Sequence, residues 1–321
     1  MCVEDNFKLP PTLFTSKTLV VLNLVSGIVL KVPASVWLPS LKVLDLDSIE
    51  REKEDTFESL FRGCPALEEL YIERWTLDTN WVLNISIPTF KRLILICPED
   101  HFRGGSDGQG CKVVINTPKL EQLDLLDYVS DDSVLENSSS SLKAVVDIGH
   151  THSITETNNY GSHIHKLFSG IKNVKFLDAT LSFPTEDDTP VLPTLHNLTH
   201  LTLTADHESG WNFLTDFLEC SPRLEVLTLK GNGQLGSAKC WSPPQRVPNC
   251  LLLHLEEIKI KKFNGEENDF EAMEYLLKNA KFLKKMTIDC RQSNVNEEFC
   301  IWKKLIGIPR GSKTSLLNLI F

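Results

Sequence analysis

The feature that most constrains the fold is a short motif, LxxLxL, that returns along the whole chain. Its clearest copies are SLKVLDL at 40–46, ALEELYI at 66–72, KLEQLDL at 119–125, NLTHLTL at 197–203 and RLEVLTL at 223–229. In each copy the last two apolar residues alternate with polar ones, as on a strand that is buried on one face. A unit this short buries only a few leucines by itself, so it has to stack on its neighbours.

The spacing of the copies indicates the fold class, because Leu41, Leu67 and Phe90 begin successive copies 26 and 23 residues apart. Such a period is typical of leucine-rich repeats. We therefore predict an α/β protein, a horseshoe-shaped leucine-rich-repeat solenoid similar to ribonuclease inhibitor, with a parallel sheet on its concave side. Residues 1–236 are expected to form the solenoid, and residues 237–321 a second domain that continues and caps it.

Helical spacing of apolar residues predicts four helices between the strands, at 54–65, 162–174, 210–222 and 269–283. Asp269 is a candidate N-cap for the last of them. Around 142–148 two strand registers remain open, because Leu142 can share a face with Val145 or with Val146 and Ile148.

The cysteines indicate the cellular compartment, and the charge balance indicates which partners to exclude. The nine cysteines show no CxxC spacing, and Cys64, Cys220 and Cys250 lie near repeat leucines, which favours reduced core residues in the cytoplasm or nucleus. Residues 237–321 carry 14 lysines and arginines against 10 acidic residues, which leaves 19 against 33 for residues 1–236. That acidic balance argues against nucleic acid as a partner. No apolar run is long enough to span a bilayer, so no membrane association is expected.

No pattern of catalytic or metal-binding residues emerges. The histidine pairs at 150/152, 163/165 and 196/200 lack nearby cysteine or carboxylate ligands, so no metal is expected. The glycine-rich stretch GGSDGQG at 104–110 lacks the GK[ST] ending of a phosphate-binding loop and is expected to be a flexible loop. We therefore expect neither an enzyme nor a cofactor.

Two parts of the sequence resemble a known family. KLPPTLFTSKTLVVLNL at 8–24, LPSLKVLDL at 38–46 and GCPALEEL at 63–70 are similar to the repeat region of plant F-box proteins with leucine-rich repeats. The stretch from Cys240 to Ile288, with IPRGSKTSLLNLIF at 308–321, resembles the FBD domain that follows the repeats in many of those proteins. The resemblance implies a protein-interaction scaffold, the substrate-recognition part of an SCF-type ubiquitin-ligase receptor.

The chain departs from that family at its first residues. Members begin with an F-box, a helical module that docks on a Skp-type adaptor, whereas here Met1 leads directly into the first repeat. We therefore expect an unknown protein substrate as the partner and no capture of the adaptor. The alternative that the resemblance leaves open is a small-ligand receptor for a hormone or polyphosphate.

Strand geometry identifies the candidate binding surface, because residues that alternate with the inward leucines point to the opposite face. Acidic and aromatic side chains on that face between residues 45 and 124 would suit a basic partner segment. The candidate partner-binding residues are Asp45, Glu69, Tyr71, Glu73, Asp124, Thr202, Thr228 and Lys259.

Overall fold

The computed structural model describes residues 9–53, 55–73, 82–97, 111–127, 130–136, 139, 141–148, 160–181, 190–204, 212–231, 242–263, 267–290 and 295–320. The predicted loop at 98–110 and the histidines at 150 and 152 lie outside these ranges. By its internal contacts the chain divides into two compact units, Met1–Ile171 and Lys172–Phe321. The functional boundary expected near residue 236 stays a prediction.

Within its described residues, unit 1 contains two α-helices, the strands of a main sheet and the strands of smaller sheets. In chain order it contains a 3-10 helix at Pro11–Thr15, β1 (Val21–Leu24), β2 (Val29–Leu30), β3 (Val43–Asp47), β4 (Glu50–Arg51), α1 (Thr56–Arg62), β5 (Glu69–Glu73), β6 (Val82–Ile85), β7 (Arg92–Cys97), β8 (Cys111–Asn116), β9 (Gln122–Asp127), β10 (Ser130–Glu136), β11 (Lys143–Ile148) and α2 (Tyr160–Gly170). The strands that follow the leucine motif pair in parallel in the order β1-β3-β5-β7-β9-β11. This confirms the predicted parallel sheet of repeats.

Each copy of the motif buries its leucines on one side of that sheet. In the copy at 40–46, Leu41, Leu44 and Leu46 are buried while Asp45 between them is part-exposed. Leu44 pairs across the sheet with Leu70, which is also buried, so equivalent leucines of successive repeats stack in rows. Burial of a leucine side chain contributes about 1.5–3 kcal/mol, so these rows supply much of the stability of unit 1.

Strand β11 settles the register that the sequence left open. Leu142, Ala144, Val146 and Ile148 are buried, whereas Val145 is 45% exposed. Val146 pairs with Leu125 of β9 inside the core row, and Val145 pairs with Asp124 on the other face. The second of the two registers is therefore correct.

A smaller layer of strands, which the motif did not predict, lies within the same unit. Strands β6, β8 and β10 form a parallel three-stranded sheet, and β2 pairs with β4. Helix α2 packs on β10 and α1 contacts β6. Leu83, Ile85, Val113 and Ile115 of this layer are buried, so the layer adds apolar side chains to the core of unit 1.

Exposed charges alternate where the strands of unit 1 begin. The residues Lys42, Glu68, Lys91 and Glu121 precede successive strands of the main sheet. The backbone amides of Glu68, Lys91 and Glu121 each donate to the carbonyl of the residue before it in this series, at 2.8–2.9 Å. Glu68 forms ion pairs with Lys42 at 3.1 Å and with Lys91 at 2.6 Å. We call these four residues the charged ladder.

Unit 2 also alternates strands with helices, and the two longest of its described helices span 13 residues each. Its elements are β12 (Phe176–Leu181), β13 (His200–Thr204), α3 (Asn212–Cys220), β14 (Val226–Lys230), α4 (Asn249–Leu253), β15 (Glu257–Lys261), α5 (Glu267–Asn279), β16 (Lys285–Asp289), α6 (Val295–Gly307) and β17 (Leu316–Ile320). Its six strands pair in parallel in chain order. Residues 237–321 thus continue the sheet of unit 2 through β15, β16 and β17.

The four predicted helices are confirmed as α1, α2, α3 and α5, whereas α4 and α6 were not predicted. The N-cap assigned to Asp269 is wrong, because α5 begins at Glu267 and Asp269 lies inside its first turn with 2% of its surface exposed. The short α4 follows Pro248 directly and carries only two buried residues, Cys250 and Leu251, so it lacks the longer periodic pattern of the other helices.

The cysteine side chains that the structure describes lie in the core. Cys64, Cys97, Cys220, Cys250 and Cys290 are all buried, and none of these five forms a disulfide bond. Burial raises the pKa of Cys64 to about 12 and that of Cys220 to about 11, so both are protonated and unreactive at neutral pH. The core position that the sequence predicted for Cys64, Cys220 and Cys250 is confirmed.

Candidate functional site

Strand pairing places three of the predicted site residues of unit 1 in one row. On the face opposite the leucines, the row runs Asn23, Asp45, Tyr71, Ile94, Asp124 and Val145 from β1 to β11. Strands in a sheet are about 4.8 Å apart, so Asp45 and Tyr71 are direct neighbours and Asp124 lies two strands beyond Tyr71. We call the face that carries this row the outward face of unit 1.

The other two predicted residues of unit 1 flank Tyr71 on its own strand. Glu69 pairs with Val43 on one side and Arg92 on the other, while Glu73 pairs with Asp47. Asp47 was not among the predicted residues, although the alternation along the strand already indicated its position. The alternation that assigns Asp45 to this face also assigns the residue two positions later.

Asp45, Asp47, Tyr71 and Glu73 form one electrostatic group, which we call the acidic cluster. The Tyr71 hydroxyl donates a hydrogen bond to Oε2 of Glu73, and the Ser48 hydroxyl donates to Oδ1 of Asp47 at 2.7 Å. Burial is the main cause that raises the pKa of Tyr71, followed by the hydrogen bond and charge of Glu73 and then by Asp47 and Asp45. The cluster therefore concentrates negative charge around a phenol that stays protonated.

Asp45 is the least satisfied member of the acidic cluster. Its Oδ1 atom is buried and has no hydrogen-bond partner among the residues that the structure describes. Burial, followed by the charges of Asp47 and Glu73, raises the pKa of the Asp45 carboxyl. A cation placed beside this carboxylate would offset both the desolvation and the repulsion.

An apolar strip borders the acidic cluster on the same face. Ile94 and Ile96 of β7 and Leu126 of β9 are part-exposed, and Val145 of β11 is exposed. Beyond Ile94, the side-chain amide of Gln122 donates to both carboxylate oxygens of Asp124, at 3.0 and 3.3 Å. The outward face of unit 1 thus offers acidic groups on either side of apolar surface.

In unit 2 the predicted residues also share one row, but their surroundings differ. Thr202, Thr228 and Lys259 pair in register on β13, β14 and β15. Lys259 forms an ion pair with Glu257 at 3.0 Å, and Lys230 forms one with Asp178 at 2.7 Å. These lysines and carboxylates are therefore paired with one another within unit 2.

Thr228 does not fit the exposed position that the sequence predicted for it, because only 9% of its surface is exposed. It is short and stands between Thr202 and Lys259 on the adjacent strands, which leave it little surface. Thr228 is consequently a weak candidate for contact with a partner.

Within the described residues, no group of three or more histidine, cysteine or carboxylate side chains is arranged to hold a metal ion. No helix among those described is long and apolar enough to cross a membrane.

The stacked strands, with one leucine motif in each repeat, define a leucine-rich-repeat protein. Comparison with known families makes this specific. Residues 2–170 match the family model described as FBD-associated F-box protein At5g56370, LRR repeats, and residues 243–288 match the FBD family. The chain belongs to the F-box/FBD/LRR-repeat protein family of plants, which confirms the resemblance seen in the sequence.

Similar proteins in Arabidopsis thaliana extend over nearly the whole chain. The F-box/FBD/LRR-repeat protein At4g26340 is 34% identical over 322 residues, which cover 98% of this chain and 72% of that protein. The F-box/FBD/LRR-repeat protein At5g56420 is 31% identical over 316 residues, which cover 97% of this chain and 71% of the relative. Strands β12 to β14, which lie between the two family matches, are thus also part of the shared sequence.

Proposed function

We propose that this chain is a protein-interaction scaffold that recognises the substrate of an SCF-type ubiquitin ligase. The names of its relatives contain both the F-box and the repeats, which links the repeats to that class of receptor. Stacked repeats provide a rigid, extended face, and such faces bind other proteins in many repeat families.

The observation that carries this proposal is the acidic cluster beside the apolar strip. The outward positions of β3, β5, β9 and β11 bring six carboxylates, at Asp45, Asp47, Glu69, Glu73, Asp124 and Asp147, to the outward face of unit 1. The described strands of this sheet bring Arg92 and Lys143 as the opposing charges. The partner that fits is an extended basic segment with interspersed apolar side chains.

The same charges disfavour the alternative of a polyphosphate receptor. A polyphosphate needs converging cations, and the described strands of the outward face of unit 1 present six carboxylates against two cations.

Tyr71 is the best anchor for a peptide, because aromatic side chains on rigid strands bury much area at little entropic cost.

Binding to this face is tested with two fluorescent peptides of equal length, one alternating arginine with leucine and one alternating glutamate with leucine. We expect the basic peptide to bind and its affinity to fall with added salt, because salt screens the attraction between a charged face and an oppositely charged partner. The combined variant Asp45→Lys, Tyr71→Ala and Asp124→Lys should weaken binding at least tenfold in fluorescence anisotropy. A control that combines Glu50→Lys with Glu271→Lys changes the net charge equally at exposed positions elsewhere and should bind as the original does.

All three side chains point away from the leucine rows, so we expect the triple variant to fold. Melting curves check this. A folded triple variant that keeps the basic peptide would place the binding site elsewhere. Equal affinity for the two peptides would show that the acidic cluster does not select the partner.

Coupling to the ligase is a separate prediction. In a pull-down with a purified Skp-type adaptor, residues 1–321 should give background signal, because residues 2–170 match repeats and residues 243–288 match the FBD domain. A chimera with an F-box joined before Met1 should capture the adaptor. Stoichiometric capture by residues 1–321 alone would show that the repeats or the FBD region dock on the adaptor themselves.

A further inference from the structure

The last strand of unit 2 has an open edge. In the part of the chain that the structure describes, β17 pairs with β16 on one side and with no strand on the other. The amide of Leu316 donates to the carbonyl of Lys284 at 2.9 Å, and the amide of Cys290 donates to the carbonyl of Ile320 at 2.7 Å. Because backbone groups alternate sides along a strand, those of Leu317 and Leu319 point to the open edge.

The side chains of β17 are unusual for an open edge. Leu316 is 69% exposed and Ile320 is also exposed, while Leu317 and Leu319 are only half-buried. On β16, by contrast, Met286 and Ile288 are fully buried. No charged residue occurs from Thr314 to Phe321, so the strand lacks the lysines and prolines that commonly protect an edge from further pairing.

We propose that β17 pairs antiparallel with β17 of a second copy of this chain, about a two-fold axis through Asn318. In this register Leu317 of one copy faces Leu319 of the other, and both direct their backbone groups to the edge, so two such pairs form four hydrogen bonds. Leu316 faces Ile320 of the other copy, and Asn318 faces its own equivalent. Every cross-strand pair is then apolar or neutral.

The charges on the neighbouring strand agree with this arrangement. Leu316 pairs with Lys285 of β16, and Ile320 pairs with Asp289. Each outer row of the joined sheet therefore carries Lys285 of one copy and Asp289 of the other, about 14 Å apart across three strand spacings. At that distance the attraction is weak, but its sign favours the two-fold register and opposes a parallel one.

A second copy fits this edge better than an unrelated peptide does, because the strand is complementary to itself in hydrogen bonding and in apolar side chains, and β16 adds opposite charges on either side. A five-residue strand pair is a small interface, well under the roughly 1,200 Å² of stable complexes, so the affinity should lie in the micromolar range. The dimer is therefore concentration-dependent.

Sedimentation velocity over a concentration series up to about 100 μM tests the proposal at the affinities that such an interface gives. The mass should rise from 36.3 kDa towards twice that value. Asn318→Lys and Asn318→Asp each place like charges opposite each other on the axis, so each variant alone should dimerise several-fold more weakly. An equimolar mixture of the two variants should dimerise again, because opposite charges then meet.

Phe282→Lys is the matched control, because Phe282 is an exposed apolar residue of the same unit outside β17 and should leave the dimer unchanged. Circular dichroism and melting confirm that the variants are folded. A wild-type chain that stays monomeric throughout the series would overturn the proposal. So would a dimer that both Asn318 variants retain, or a mixture that fails to recover it.

Discussion

Val146→Asn should lower the free energy of unfolding by about 3 kcal/mol. Val146 is fully buried in the leucine row of β11, beside Leu125 of β9. An asparagine there buries an amide without a partner and removes apolar contacts to the neighbouring repeat. Chemical denaturation followed by circular dichroism measures the change.

Val145→Asn is the matched control, because it makes the same substitution one residue earlier on the same strand. Val145 is exposed, so the change should cost less than about 1 kcal/mol. Asparagine is preferred to aspartate because Val145 pairs with Asp124, and a second carboxylate there would add repulsion. Equal destabilisation by the two variants would mean that β11 is not in the register described.

Gly311→Ala should destabilise unit 2 by about 2–3 kcal/mol, because a methyl group at this position has no room. An added Cβ would lie 2.3 Å from the carbonyl oxygen of Lys278, at the end of α5. The amide of Gly311 donates to the carbonyl of Leu277 at 2.7 Å, so the close approach is held by a hydrogen bond that the variant strains. Thermal melting should show the loss.

Gly307→Ala is the control for this effect, because Gly307 ends α6 and an added Cβ meets nothing within 4 Å. Alanine there should stabilise the helix end by up to about 0.5–1 kcal/mol, since glycine loses more backbone entropy on folding. If Gly311→Ala melted as the unaltered chain does, the tight contact between Gly311 and α5 would be disproved.

The leucine alternation predicted the main sheet of each unit well, because burial on one face follows directly from a period of two. The leucine alternation did not predict the strands that lack the motif. CKVVIN of β8 carries no leucine, and β8 pairs with β6 and β10 in the second layer instead. Whether such a strand joins the main sheet depends on contacts far along the chain, which local periodicity does not contain.

For the acidic cluster too, alternation along the strands predicts the positions of the side chains but not their interactions. Alternation alone assigned Asp45, Tyr71 and Glu73 to one face, yet Asp45 and Glu73 are 28 residues apart in the sequence. Their mutual repulsion and the burial of Asp45 arise only when β3 pairs with β5 in the observed register. Thr228 illustrates the opposite case, since its face was predicted correctly but its neighbours leave it little exposed surface.

The charged ladder bears on how the repeats find their proper order during folding. Repeats with one shared motif can join out of sequence, which is a characteristic error of repeat proteins. If β3 paired with β7 and omitted β5, Lys42 would lie beside Lys91 instead of Glu68. Each surface pair is worth only about 0.2–1 kcal/mol, but an omission exchanges an attraction for a repulsion. Alternating charge at the starts of these strands therefore disfavours the omission of a single repeat, because each strand start is attracted to that of the next repeat and repelled by that of the repeat after it.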